Sequence, residues 1–193
     1  LILERMESTP GPENGARGFT VTEMATAGER LLRDIGLVDK FSRVVFILGH
    51  GSDSVNNPHK SAYDCGACGG SPGGPNGRAI AQMLNDLRVR EVIAKNGIAI
   101  PPDTYFIGGY HNTCDDSVLL ADVDRVPESH RTDLVKIQAD FLEACNRNAH
   151  ERSRRFMSAP LSLTTRDARN HVENRSEDLA QVRPELGHAT NAL

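Results

Sequence analysis

The chain has 193 residues, 38% apolar and 25% charged, and its 22 basic side chains against 26 acidic ones give a formal net charge of −4. These proportions exclude a disordered polyelectrolyte and argue against a general nucleic-acid binder, which needs a basic excess. The longest apolar run, Val44 to Leu48, is far too short to cross a bilayer, and with 5% aromatic residues and no Trp the core must be aliphatic.

Residues 1–18 carry Gly, Pro and Glu without an apolar period and read as an irregular end. The chain opens on Leu1 with no signal-peptide pattern, and the expectation is a piece of something longer. Thr20-Val21-Thr22-Glu23 has the spacing of a capping box. It predicts a helix that buries Met24, Leu31, Leu32 and Ile35 and stops at Gly36. Arg43 to Leu48 is short, continuous and β-branched, the pattern of a central strand buried on both faces. Residues 49–77 form a long loop dense in Gly, Asn, Pro and Ser, a length that in compact domains usually goes with function or disorder.

A helix resumes near Asn76 with Ile80, Met83, Leu84 and Leu87 on one face, and Val89 to Lys95 continue it or form a second short helix. Ile98 to Pro102 is extended. Thr104 to Gly108 and Ser117 to Val123 read as two more strands, the latter ending in a turn at Asp122 and Asp124. A long helix from Glu128 to about Met157 buries Leu134, Ile137, Phe141, Ala144 and Cys145. Its far end carries Arg147, Arg152, Arg154 and Arg155, read as a solvated helix terminus with well-placed cations. Residues 158–193 are polar, with room for one short helix.

Strands alternate with helices, so the predicted class is α/β with a largely parallel sheet flanked by helices. Residues 19–157 form the main unit and 158–193 a polar extension of it. In such sheets ligand sites gather beyond the carboxyl ends of the strands. Gly49-His50-Gly51-Ser52 and Gly108 to Thr113 stand there, facing one crevice.

The four cysteines, Cys65, Cys68, Cys114 and Cys145, are too few and too uneven to staple a domain of this size, and they read as reduced thiols, Cys145 as core filler. His50 with the Gly-framed Asp64-Cys65-Gly66-Ala67-Cys68 loop offers zinc-type donors. The bland alternative is a hydrogen-bonded His and a packing thiol. Cys65 and Cys68 also form a C-x-x-C, but no second pair completes a knuckle, and a redox dithiol belongs at a helix start close behind a strand. The glycines of 66–77 lack a phosphate-loop ending. They serve either a small anion such as bicarbonate at the next helix start or merely the close passage of backbone. His111 is a candidate proton shuttle or partner of a metal ligand, and Asn112 and Thr113 fit a turn equally well. No Gly-x-Ser-x-Gly elbow supports a serine hydrolase.

Residues 49–70, Asn76 to Asn85, Gly97 to Pro101, His111-Asn112-Thr113 and Gln181 to Gly187 together resemble the DabA family of inorganic-carbon transporter subunits, with Leu186 where the family more often has Trp. The resemblance runs over nearly the whole chain, about residues 19–192. It implies a β-carbonic-anhydrase-like fold and a catalytic-type zinc held by His50, by Cys65 and by two ligands from an upstream Cys-x-Asp-x-Arg. Asp64, Cys68 and His111 are candidates for supporting or shuttle roles. The resemblance also implies zinc-assisted hydration of CO2 to bicarbonate, with a proton-translocating membrane subunit as partner, at the cytoplasmic face of the bacterial inner membrane.

The Cys-x-Asp-x-Arg is absent from this sequence. Cys114-Asp115-Asp116 is a decoy, because Ser117 and Val118 follow it and no Arg is placed to pair the Asp. Two ligands do not close a tetrahedral site, so the expectation for this segment alone is weak zinc binding and no hydration. The alternatives are a docking module for the membrane partner and a stand-alone structural Cys/His zinc domain.

Overall fold

A computed structural model describes residues 18–55, 64 and 70–181. The first helix, α1, runs Val21–Asp34. Its capping box forms as the sequence predicts: the Glu23 carboxylate accepts from the Thr20 amide at 2.7 Å, and the Glu23 amide donates to the Thr20 hydroxyl at 3.3 Å. Strand β1 spans Val44–Gly51. Two helices follow, α2 over Gly74–Asn85 and α3 over Leu87–Lys95. They are separated because Asp86 is extended and caps α3, accepting from the Arg88 amide. That break moves Leu87, expected on the apolar face, to the first turn of α3, where it is 70% exposed.

Strands β2, Tyr105–Asn112, and β3, Val118–Leu120, complete a sheet of order β1-β2-β3. A short 3-10 turn at Val123–Arg125 leads into α4, Glu128–Ser153, and α5 spans Thr165–Glu177. Asp122 lies in the left-handed region at the turn and accepts Arg78 through both carboxylate oxygens, at 2.7 and 2.6 Å, which fixes α2 to the end of β3.

The mixed α/β class holds, but the sheet is less parallel than the sequence suggested. β1 and β2 are parallel, joined by the α2–α3 crossover, whereas β3 is antiparallel to β2. Five residues connect β2 to β3, too few for the crossover that a parallel partner needs. Among the described residues β1 stands at one side of this sheet, and the central strand is β2. β2 is longer than predicted and takes in His111 and Asn112, which sequence placed in a loop.

One core packs Met24, Leu32, Leu84, Val89, Ile93 and Phe106 between α1, α2, α3 and the sheet. A smaller one joins Ile107, Val126 and Leu134 under α4. Ala144, expected in the buried stripe of α4, is exposed.

Candidate functional site at the carboxyl ends of the strands

The parallel register sets His50 of β1 beside His111 of β2, and Gly51 beside Asn112. The two strand ends are stitched together. The Gly51 carbonyl accepts from the Thr113 amide at 2.8 Å and from its hydroxyl at 3.0 Å. The Asn112 side-chain oxygen accepts from the amides of Asp53 and Cys114, at 3.0 and 3.2 Å. Asn112 and Thr113 thus play the turn role, from a strand end.

Asp64 reaches back to the same place. It is buried, and its Oδ1 accepts from the Ser52 amide at 2.8 Å. Its Oδ2 is buried without a hydrogen-bond partner among the described residues. Cys65, Cys68 and the Arg183-Pro184-Glu185 stretch lie outside the described residues. Among the described residues, no group of three or more His, Cys, Asp or Glu is arranged to hold a metal ion.

Gly73, Gly74 and Gly77 serve close passage. The Gly73 amide donates to the His50 carbonyl at 2.7 Å, and a Cβ on Gly49 would fall on the Gly73 carbonyl. The start of α2 has few donors left for an anion. Pro75 has no amide hydrogen, and the amides of Asn76 and Gly77 donate to the Gly73 carbonyl.

A buried ion pair fixes the other wall. Asp116, with a left-handed φ of 64°, points its carboxylate at Arg152, and both side chains are almost wholly buried. Arg152 also donates to the carbonyls of Thr113 and Cys114, at 3.2 and 3.1 Å. Burial pushes the Asp116 carboxyl upward, but His111, Arg152 and Asn148 more than offset it, and the net shift is down. His111 Nε2 stands 3.6 Å from Asp116 Oδ1, with the ring partly open to solvent.

Sequence reasoning missed Arg152, which it read as part of a solvated cluster. It also read Cys145 as apolar filler, whereas the thiol is half-buried and donates to the Asp116 carbonyl at 2.7 Å. A second polar pair lies next to the strand ends: the Tyr110 hydroxyl donates to Asp53 Oδ2 at 3.0 Å. Burial and then that carboxylate raise the phenol above its ordinary pKa. The pair borders a cleft of about 340 Å³, lined also by Pro72, Pro75, Leu119 and Leu120.

The family model described as "Probable inorganic carbon transporter subunit DabA" matches residues 2–193. The chain belongs to the DabA family. A relative named "Probable inorganic carbon transporter subunit DabA 2" from Rhodopirellula baltica is 52% identical over 193 residues, all of this chain and 18% of the relative. One from Sorangium cellulosum is 50% identical over 179 residues, 93% of this chain and 18% of the relative. One from Methylococcus capsulatus is 47% identical over 182 residues, 94% of this chain and 17% of the relative. The chain therefore spans under a fifth of the length of these relatives. No solved structure matches it. Among the described residues no helix is long and apolar enough to cross a membrane.

Proposed function

We propose that this segment forms one wall of the inorganic-carbon site of a DabA subunit. In this reading the subunit hydrates CO2 to bicarbonate with the aid of zinc. It works beside a proton-translocating membrane subunit at the cytoplasmic face of the bacterial inner membrane. The observation that carries the reading is the family match over residues 2–193. Supporting it, His50 and His111 are register partners at the ends of β1 and β2, and Asp64 is bonded to the Ser52 amide just beyond.

The donor chemistry fits part of a zinc site. His50 would supply an imidazole and Cys65 a thiolate, the softer ligands zinc prefers. The buried Asp64 Oδ2, unpartnered among the described residues, is a group that a nearby cation or proton would satisfy. Zinc, when bound, supplies the Lewis acidity that brings hydration into the neutral pH range. The chain's own residues then do three things. Asp64 holds the strand exit through the Ser52 amide. Thr113 and Asn112 lock the two strand ends in register. His111, partly open to solvent with Nε2 3.6 Å from the Asp116 carboxylate, would relay a proton to water.

Two of four ligands make a weak site, so the 193-residue chain alone should bind little zinc and show no hydration. Elemental analysis tests this on the chain and on the full-length Rhodopirellula baltica relative. The relative should hold stoichiometric zinc and lose it when the residues aligned with His50 or Cys65 become Ala. A zinc-free relative, or one indifferent to both substitutions, would overturn the reading. Tight stoichiometric zinc in the short chain would point instead to a stand-alone structural site.

A further inference from the structure

Along a β-strand the backbone N–H and C=O of alternate residues point to opposite edges. The Arg43 carbonyl accepts from the Tyr105 amide and the Gly51 carbonyl from the Thr113 amide, both at 2.8 Å. Odd-numbered residues of β1 therefore face β2. Val44, Phe46, Leu48 and His50 turn their backbone groups to the other edge. There the His50 carbonyl accepts from Gly73, but no described residue pairs with Val44, Phe46 or Leu48.

Side-chain burial locates the same opening. Val45 and Ile47 pack into the α1–α3 core, and Val44 and Phe46 into the core under α4. Both faces of β1 are thus covered. Even so, every residue from Val44 to Leu48 is only half-buried. Their register partners Phe106 and Ile107, on the central strand, are 1% and 2% exposed. The exposure of β1 therefore lies along its outer edge and not on a face. Among the described residues nothing blunts that edge: five apolar residues run without a Lys, a Pro or a charge, and the unbroken register leaves no bulge.

We propose that the outer edge of β1, from Val44 to Leu48, receives a further β-strand from the part of the DabA polypeptide outside these 193 residues. The relatives' length favours that source. More than four-fifths of the matched relatives lies outside the segment, and a strand on the same polypeptide docks at high effective concentration. The incoming strand is short, about 17 Å or five residues. It is apolar on both faces, because its alternate side chains extend the two cores that β1 already joins. The Gly73–His50 hydrogen bond sets the limit of pairing at the site end. This inference requires neither zinc nor carbon chemistry, so the metal assay and the test below fail separately.

Amide hydrogen exchange, read residue by residue, tests it. In the 193-residue chain the amides of Val44, Phe46 and Leu48 should exchange quickly while those of Val45 and Ile47, bonded to β2, are protected. In the full-length Rhodopirellula baltica relative the aligned outer-edge amides should exchange at least about 100-fold more slowly. Equal rates in the two proteins would overturn the proposal. Protection in the short chain that rises with concentration, together with a dimer in light scattering, would also overturn it by making a second copy the occupant.

Discussion

On the side of the sheet covered by α1, α2 and α3, Met24, Leu32, Leu84, Val89 and Ile93 are closed off from solvent, each 2% exposed or less. Along α4 the comparable apolar set shrinks to Ile107, Val126 and Leu134, and much of the buried material is polar: Asp116, His130, Arg152 and Ser153. The first side is held by burial, which is strong and has no direction. The second is held by hydrogen bonds and an ion pair, which are directional and poorly tolerant of a missing partner. The site's loop, 113–116, hangs on the second kind. Its shape is therefore set by particular bonds, and the helical core beneath the other side supplies the bulk of the stability.

The largest loss should come from breaking the ion pair on one side only. Asp116→Ala strands a buried guanidinium and should cost about 3–5 kcal/mol in urea unfolding. The same pair carries an acid signature. The folded Asp116 carboxyl lies below its ordinary value of 3.8. Its contribution is thus complete above that value and lost as the pH falls through the depressed folded one. The stability gap between wild type and Asp116→Asn should narrow over that range; a gap that does not change with acid would sink the assignment. Next comes the apolar side: Leu84→Ala should cost about 2–5 kcal/mol through the cavity it leaves, with no acid signature of its own. Thr20→Ala, which removes one half of the capping box, should lower stability by about 1 kcal/mol, read as a small shift in the thermal midpoint. Smallest is Glu151→Ala. Its partner Arg155 is itself well exposed, and thermal unfolding should register less than about 0.5 kcal/mol.

The same contrast explains what the sequence made legible. The Thr20–Glu23 box and the stripes of α1 and α2 are local, with partners three or four residues apart; the box forms as predicted, and Met24, Leu32, Met83 and Leu84 are buried, although Leu87 falls outside α2. The meeting of His50 with the 108–113 segment followed from the rule that strand ends face one crevice. Arg152 was not legible, because its partner Asp116 lies 36 residues away and the cluster around it is genuinely exposed. The position of β1 was not legible either. Five apolar residues in a row report that both faces of a strand are covered, and they say nothing of whether it has a neighbour on each edge. Cys65 and Cys68, on which much of the metal reading depends, lie outside the described residues.

The strand exit beside His50 is also tied to the far end of the chain. The Val55 amide and the Ser54 hydroxyl both donate to the Ser176 carbonyl at the end of α5. During synthesis at ordinary rates, Ser176 follows His50 by about 6–25 s. For that interval His50, Ser54 and Val55 are already made while the carbonyl that accepts from Ser54 and Val55 is not, so this anchor of the strand exit forms only after α5 has been translated.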